Sequence, residues 1–205
     1  MNKLENTSND CLHIILLLDT SGSMFENNKI DILNEAVNDI IKGLKQIKIT
    51  EIYLSVITFG DKADLYLNSV RINDINDILS FDAKGGSMIA EALKISKSII
   101  EGKNDNYYLP AVILISDGFF YDDWKNEFDS FINDDFISKV QRLSVSIGKV
   151  EEAEESLKMF SDNGICYTLS DAENIFMLLT LNKVNDTESG IDSADLISYY
   201  KECIL

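Results

Sequence analysis

The chain has 205 residues, with 18 lysines and arginines against 35 aspartates and glutamates, for a formal charge of −17. One domain is the expectation at that length, burying roughly 70% of its unfolded surface, and 45% apolar residues can fill its core without disulfides. The acidic balance argues against nucleic acid or an anionic membrane as the main partner.

Three cysteines, Cys11, Cys166 and Cys203, stand far apart with no CxxC spacing. A disulfide framework or structural zinc site is not expected, and the usage suits a reducing, cytoplasmic setting. The single histidine, His13, excludes a two-histidine metal site. The expected organisation is a polar N-terminal segment over residues 1–11, one domain over 12–183, and a tail over 184–205 carrying a short amphipathic helix.

In chain order, Leu12 to Leu18 (LHIILLL) is continuously apolar and stops at Asp19. It reads as a strand covered on both faces, too short to span a membrane. His13 lies inside it and is expected in the core. DTSGSM follows, with loop chemistry. Ile30, Leu33, Val37, Ile40, Ile41 and Leu44 then recur at helical spacing. Glu51 to Phe59 (EIYLSVITF) is a second strand, ended by Gly60-Asp61. Leu65 to Ile72 is a shorter strand suited to an antiparallel edge. Ile89, Leu93, Ser96 and Ile100 predict a helix after Gly85-Gly86-Ser87. Ala111 to Ile115 (AVILI) is another buried strand, ending at Ser116-Asp117-Gly118. Trp124, Phe128, Phe131 and Ile132 mark a helix face, with Trp124 in the core. Leu143, Val145 and Ile147 alternate as a fifth strand. Glu151 to Phe160 is helical, Ile165 to Leu169 is a sixth strand, and Ser170-Asp171 caps a helix carrying Ile175, Leu178 and Leu179. Leu196, Ile197, Tyr200, Cys203 and Ile204 form one stripe, suited to a docked last helix or to one that binds a partner. The alternation of strands and helices predicts an α/β fold: a doubly wound, mostly parallel sheet with helices on both faces.

Ligands of open α/β sheets bind beyond the carboxyl ends of the strands. Three segments bring polar oxygens toward that edge: Asp19-Thr20-Ser21-Gly22-Ser23, Gly85-Gly86-Ser87, and Asp117. Glycines 22 and 118 would let these loops approach one another. Two carboxylates and three hydroxyls are hard donors, which suit Mg²⁺, Mn²⁺ or Ca²⁺ rather than zinc or copper. Two carboxylates would balance a divalent cation and leave it electrophilic, so a carboxylate from a partner is an attractive extra ligand. Each segment alone has a plainer account as a turn or helix cap. Phe119, Phe120 and Tyr121 follow Asp117 and are candidates either for interface anchors or for loop packing. The acids Asp122, Asp123, Glu127, Asp129, Asp134 and Asp135 read as a solvated face.

DTSGSM after an apolar strand, a Gly-Gly-Ser turn opening a helix, and ISDG after another strand together resemble the von Willebrand factor A (vWA) domain. The resemblance covers Leu12 to about Lys183. It implies a Rossmann-like three-layer sandwich and a metal-ion-dependent adhesion site with Asp19, Ser21, Ser23, Ser87 and Asp117 as ligands, most simply of Mg²⁺. The family's threonine in the second loop is Ser87 here, which keeps the hydroxyl. More narrowly, LLLDTSGSM, YLSVITF, GGSMIAEAL, ISDGFFYDDW and LSDAENIF resemble TerY-type vWA proteins of bacterial tellurite resistance and stress. That resemblance implies a cytoplasmic protein-binding role, with kinase-like or phosphatase-like proteins among the partners.

Two other functions are weighed against it. An apolar strand ending in DxS is similar to haloacid-dehalogenase-type phosphatases, but their second aspartate, the general acid, is Ser21 here. A hydroxyl of ordinary pKa protonates a leaving group poorly at neutral pH. Nor is there a GxxxxGK phosphate loop or a readable serine-histidine-aspartate triad, so no enzyme is expected. A metal-free scaffold is the remaining alternative.

Overall fold

The computed structural model describes residues 11–47, 51–102, 110–134, 137–148 and 154–169. Within them the strands are β1 (Cys11–Asp19), β2 (Glu51–Phe59), β3 (Ala63–Arg71), β4 (Ala111–Ser116), β5 (Gln141–Ser146) and β6 (Cys166–Thr168). The helices are α1 (Lys29–Gln46), α2 (Ile89–Glu101), α3 (Trp124–Ile132) and α4 (Glu154–Phe160). The predicted helix beyond Ser170, the N-terminal segment up to residue 10 and the tail over 184–205 lie outside the described residues.

The six strands form one sheet in the order β3-β2-β1-β4-β5-β6. All neighbours pair in parallel except β3, which runs antiparallel to β2 at the edge. This is the doubly wound, mostly parallel architecture predicted from the sequence. Every residue of β1 is buried, because it lies at the centre with helices over both faces.

The two-residue period of the strand divides its side chains between two cores. Leu12, Ile14, Leu16 and Leu18 pack with Leu33, Val37, Ile40, Ile41 and Leu44 of α1. Ile15 and Leu17 join Leu93 of α2, Phe128 and Phe131 of α3, and Leu157 and Phe160 of α4. His13 is fully buried and its Nε2 is 2.9 Å from Ser55 Oγ, a core placement as expected.

The sequence reading missed a second attachment on the α1 side. Residues 79–81 belong to no strand, yet the backbone of Leu79 and of Phe81 is paired. Asn38 donates to the Leu79 carbonyl at 2.7 Å and accepts from its N–H at 3.0 Å. Asn34 does the same for Phe81, at 3.0 and 2.8 Å. Four helical residues rise about 6 Å and two extended residues about 6.6 Å, so side-chain amides one turn apart match alternate residues of an extended chain. The chain clamped in this way runs on into the Gly85-Gly86-Ser87 loop.

Candidate metal centre

β1 connects to β2 on one side of the sheet, and β4 lies on the other. The boundary between β1 and β4 is therefore the topological switch point, where a crevice opens beyond the carboxyl ends of the strands. Asp19 is the last residue of β1, and Asp117 directly follows β4. Both aspartates are fully buried.

The first loop folds back on its own carboxylate. Asp19 Oδ1 accepts the Ser21 N–H at 2.9 Å, and Ser21 Oγ lies 3.0 Å from Ser23 Oγ. A 3-10 stretch over Gly22–Asn28 follows. Asn27 and Asn28, at φ of 54° and 57°, turn the chain into α1. Asparagine is among the few residues that enter the left-handed region readily. Asp19 Oδ2 accepts Ser116 Oγ at 2.5 Å, and the same Ser116 oxygen accepts the Gly118 N–H at 2.8 Å. Ser116 thus couples the first loop to the third. Burial pushes the Asp19 carboxyl up to about 6, against the opposing pull of the Ser116 and Ser21 hydrogen bonds.

The second loop is joined to both others. Gly22 donates its N–H to the Gly85 carbonyl at 2.8 Å, and Tyr121 donates to the Ser87 carbonyl at 3.4 Å. Gly85 sits at φ +77°, and a Cβ there would fall 2.1–2.3 Å from the Asp61 carboxylate. That carboxylate accepts the Gly86 N–H at 2.7 Å. Only glycine fits this crossing. Ser87 is fully buried, and its Oγ has no hydrogen-bond partner.

The third loop carries the largest departures from the sequence reading. Phe120 is not an exposed aromatic. Its ring lies 6.3 Å from Phe59 and 5.3 Å from Trp124, so the loop-packing account holds for it. Phe119 is 36% exposed and Tyr121 77% exposed, and both remain at the surface. Asp122 is not simply a solvated acid. It accepts the Ala90 N–H at 2.7 Å, satisfying one of the open donors in the first turn of α2. Lys29, the first residue of α1, was not singled out in the sequence at all. It is only 7% exposed. Its Nζ makes a 2.8 Å salt bridge to Asp117 Oδ2 and a 3.3 Å contact to the Ser23 carbonyl.

The five predicted metal ligands therefore stand on three loops tied to one another by direct bonds. Among the described residues no group of three or more His, Cys, Asp or Glu could hold a metal. An ion here would rest on two carboxylates and three hydroxyls, a hard-oxygen set fit for Mg²⁺, Mn²⁺ or Ca²⁺. The orphaned Ser87 hydroxyl fits such an ion, since a buried polar atom ordinarily has a partner.

A mostly parallel sheet with buried polar side chains just beyond its switch point is the layout of the doubly wound α/β domains. Residues 14–119, just over half of the chain, match the model of the von Willebrand factor type A domain, and the chain belongs to that family. No curated protein matches the sequence. Solved structures with the same fold are remote in sequence. The VWA2 paralog of ArnB from Sulfolobus acidocaldarius is 16% identical with a TM-score of 0.59, over 83% of this chain and 44% of that one. Proximal thread matrix protein 1 from mussel byssus, with a zinc-occupied MIDAS motif, is 15% identical with a TM-score of 0.60, over 81% and 45%. Manganese-loaded TRAP protein from Plasmodium vivax is 17% identical with a TM-score of 0.59, over 75% and 63%. The chain spans less than half the length of the first two and under two thirds of the third. No helix among the described residues is long and apolar enough to cross a membrane.

Proposed function

We propose that this domain is a metal-dependent protein-interaction module. Asp19, Ser21, Ser23, Ser87 and Asp117 would hold a divalent cation, most simply Mg²⁺. The cation would capture an acidic side chain of a partner, and Phe119 and Tyr121 would provide apolar contact beside it. The observation that carries this reading is the buried, unpartnered Ser87 hydroxyl. Leaving such an atom unpaired costs about 1–3 kcal/mol, and a cation would satisfy it. Solved structures of the same fold, one loaded with manganese and one with a zinc-occupied MIDAS motif, support a divalent ion here.

The test rests on opposite signs. Ser87→Ala removes an unsatisfied oxygen, so the metal-free variant should melt at the wild-type temperature or above it. Calorimetric titration should nevertheless give weaker Mg²⁺ or Mn²⁺ binding, and Asp19→Ala should bind neither ion. Equal metal binding by wild type and Asp19→Ala defeats the assignment. A pulldown with and without Mg²⁺ then tests capture of a partner.

Binding rather than catalysis is favoured by the absence of a general acid at Ser21, where phosphatases that use an aspartate at the end of the first strand need one. Metal-dependent hydrolysis of a phosphomonoester, abolished in Asp19→Asn, would reverse that choice. The TerY-type sequence resemblance extends the proposal to cytoplasmic stress response or tellurite resistance, beside kinase-like or phosphatase-like partners. A metal-free scaffold is the second reading, and one observation favours it: Lys29 already neutralises Asp117. It predicts that partner capture survives both chelator and Asp117→Ala.

A further inference from the structure

A lysine is seldom found almost fully buried unless it is paired, and Lys29 is paired with one of the proposed metal ligands. Its Nζ is 2.8 Å from Asp117 Oδ2 and 3.3 Å from the backbone oxygen of Ser23, the residue whose hydroxyl is another proposed ligand. Its methylene stem passes Gly148, where an added Cβ would lie 3.4 Å from Lys29 Cε. The Asn27-Asn28 turn brings the chain to this point. The ammonium is thus held against the metal cleft from the first residue of α1.

This placement changes the charge balance of the cleft. Asp19 and Asp117 alone would make the loaded site neutral with a divalent ion. With Lys29 counted, the three buried charged groups sum to −1 in the empty cleft and to +1 with a divalent ion, the Asp61 carboxylate beside the second loop being exposed and screened. We infer that Lys29 is a built-in counter-charge that weakens the cleft's hold on the metal and leaves the loaded site positive, matched to a single carboxylate from a partner. The inference rests on the metal-binding reading above and deepens it. Removing the positive charge should move the two affinities in opposite directions: the cation binds tighter because a nearby like charge is gone, and the incoming carboxylate binds weaker because the loaded site is now neutral. A lysine that only braced the loops would instead weaken both steps when replaced.

The experiment compares the full chain with Lys29→Gln and Lys29→Arg at fixed ionic strength. Glutamine can still donate a hydrogen bond toward Asp117 without charge, and arginine keeps the charge. Mn²⁺ is titrated into each by calorimetry, and acetate is then titrated into the Mn²⁺-loaded proteins by water-proton relaxation. Lys29→Gln should bind Mn²⁺ about tenfold or more tightly than wild type and acetate several-fold more weakly, with Lys29→Arg near wild type in both. Mn²⁺ binding by Lys29→Gln no tighter than wild type, or undiminished acetate binding, overturns the counter-charge role. If Lys29→Gln is unfolded without metal, Mn²⁺ should restore its circular dichroism spectrum, and failure to do so also counts against the role. Mn²⁺ binding by the glutamine variant alone supports it. If no form of the protein binds Mn²⁺, the metal-binding reading itself falls.

Discussion

At the scale of single residues, Asp19 and Ser116 carry the chemistry of the cleft. A carboxyl raised to about 6 binds its proton more tightly in the folded chain than in the unfolded one, where the ordinary value of 3.8 applies. The folded state therefore holds more protons between pH 4 and 6, and stability falls as the pH rises through that window. The loss totals about 3 kcal/mol for a shift of this size. In EDTA, urea midpoints of the wild type should drop between pH 4 and 6 relative to Asp19→Asn, which cannot titrate there. Parallel pH profiles for the two proteins would count against the shift. Ser116 donates to that carboxylate and receives Gly118. Ser116→Ala should cost about 2 kcal/mol at pH 7, as expected for a lost hydrogen bond to a charged group, measured by urea unfolding. The cost should shrink below pH 5, where Asp19 is protonated. Neither Ser116 nor Lys29 was legible in the sequence, because serine before an aspartate and lysine at a helix start are common on any surface. Only the distance to a particular carboxylate distinguishes them.

At the scale of elements, the sheet and its helices were legible and the clamp on α1 was not. The run Leu12 to Leu18, the alternation after Gln141 and the spacing from Leu33 to Leu44 each follow the period of a strand or a helix. The stretch over residues 75–81 has neither period, and at Leu79 and Phe81 its backbone is satisfied by the side chains of Asn38 and Asn34 rather than by another backbone. Asn38→Ala leaves the Leu79 N–H and carbonyl without those partners and should destabilise the fold by about 2 kcal/mol. Hydrogen exchange offers the sharper check. The Leu79 and Phe81 amides should exchange slowly in the wild type, although they lie outside any strand. The Leu79 amide should exchange fast in Asn38→Ala, and unchanged protection would contradict the clamp. Metal affinity should fall in the same variant, since the clamped chain leads to Ser87.

For the molecule as a whole, a ligand that binds only the folded state adds stability in proportion to its occupancy. At a hundred times its dissociation constant a cation contributes about 2.7 kcal/mol, which for a chain of this size corresponds to roughly 5–10 °C in Tm. Calorimetric scans in EDTA and in saturating Mg²⁺ should differ by that amount for the wild type and not at all for Asp19→Ala. A wild-type Tm indifferent to metal would leave the cleft as a scaffold. The overall charge of −17 does not enter this difference, because exposed carboxylates are screened by salt within about a Debye length while Asp19 and Asp117 are buried.

Two features of this protein follow from local pattern alone: the order of strands and helices, and the three polar segments at the carboxyl edge. Hydrophobic period is a property of neighbouring residues, and Asp19, Ser87 and Asp117 stand out because each interrupts or follows such a period. The environment of those residues is a different matter. That Lys29 sits on Asp117, that Ser116 bridges to Asp19, that Phe120 turns inward onto Phe59 and that Asp122 meets the start of α2 all depend on contacts between residues 30 to 100 positions apart in the chain. Distant residues meet only when the sheet is assembled, so the charge and hydrogen bonding of the cleft were decided by the tertiary structure.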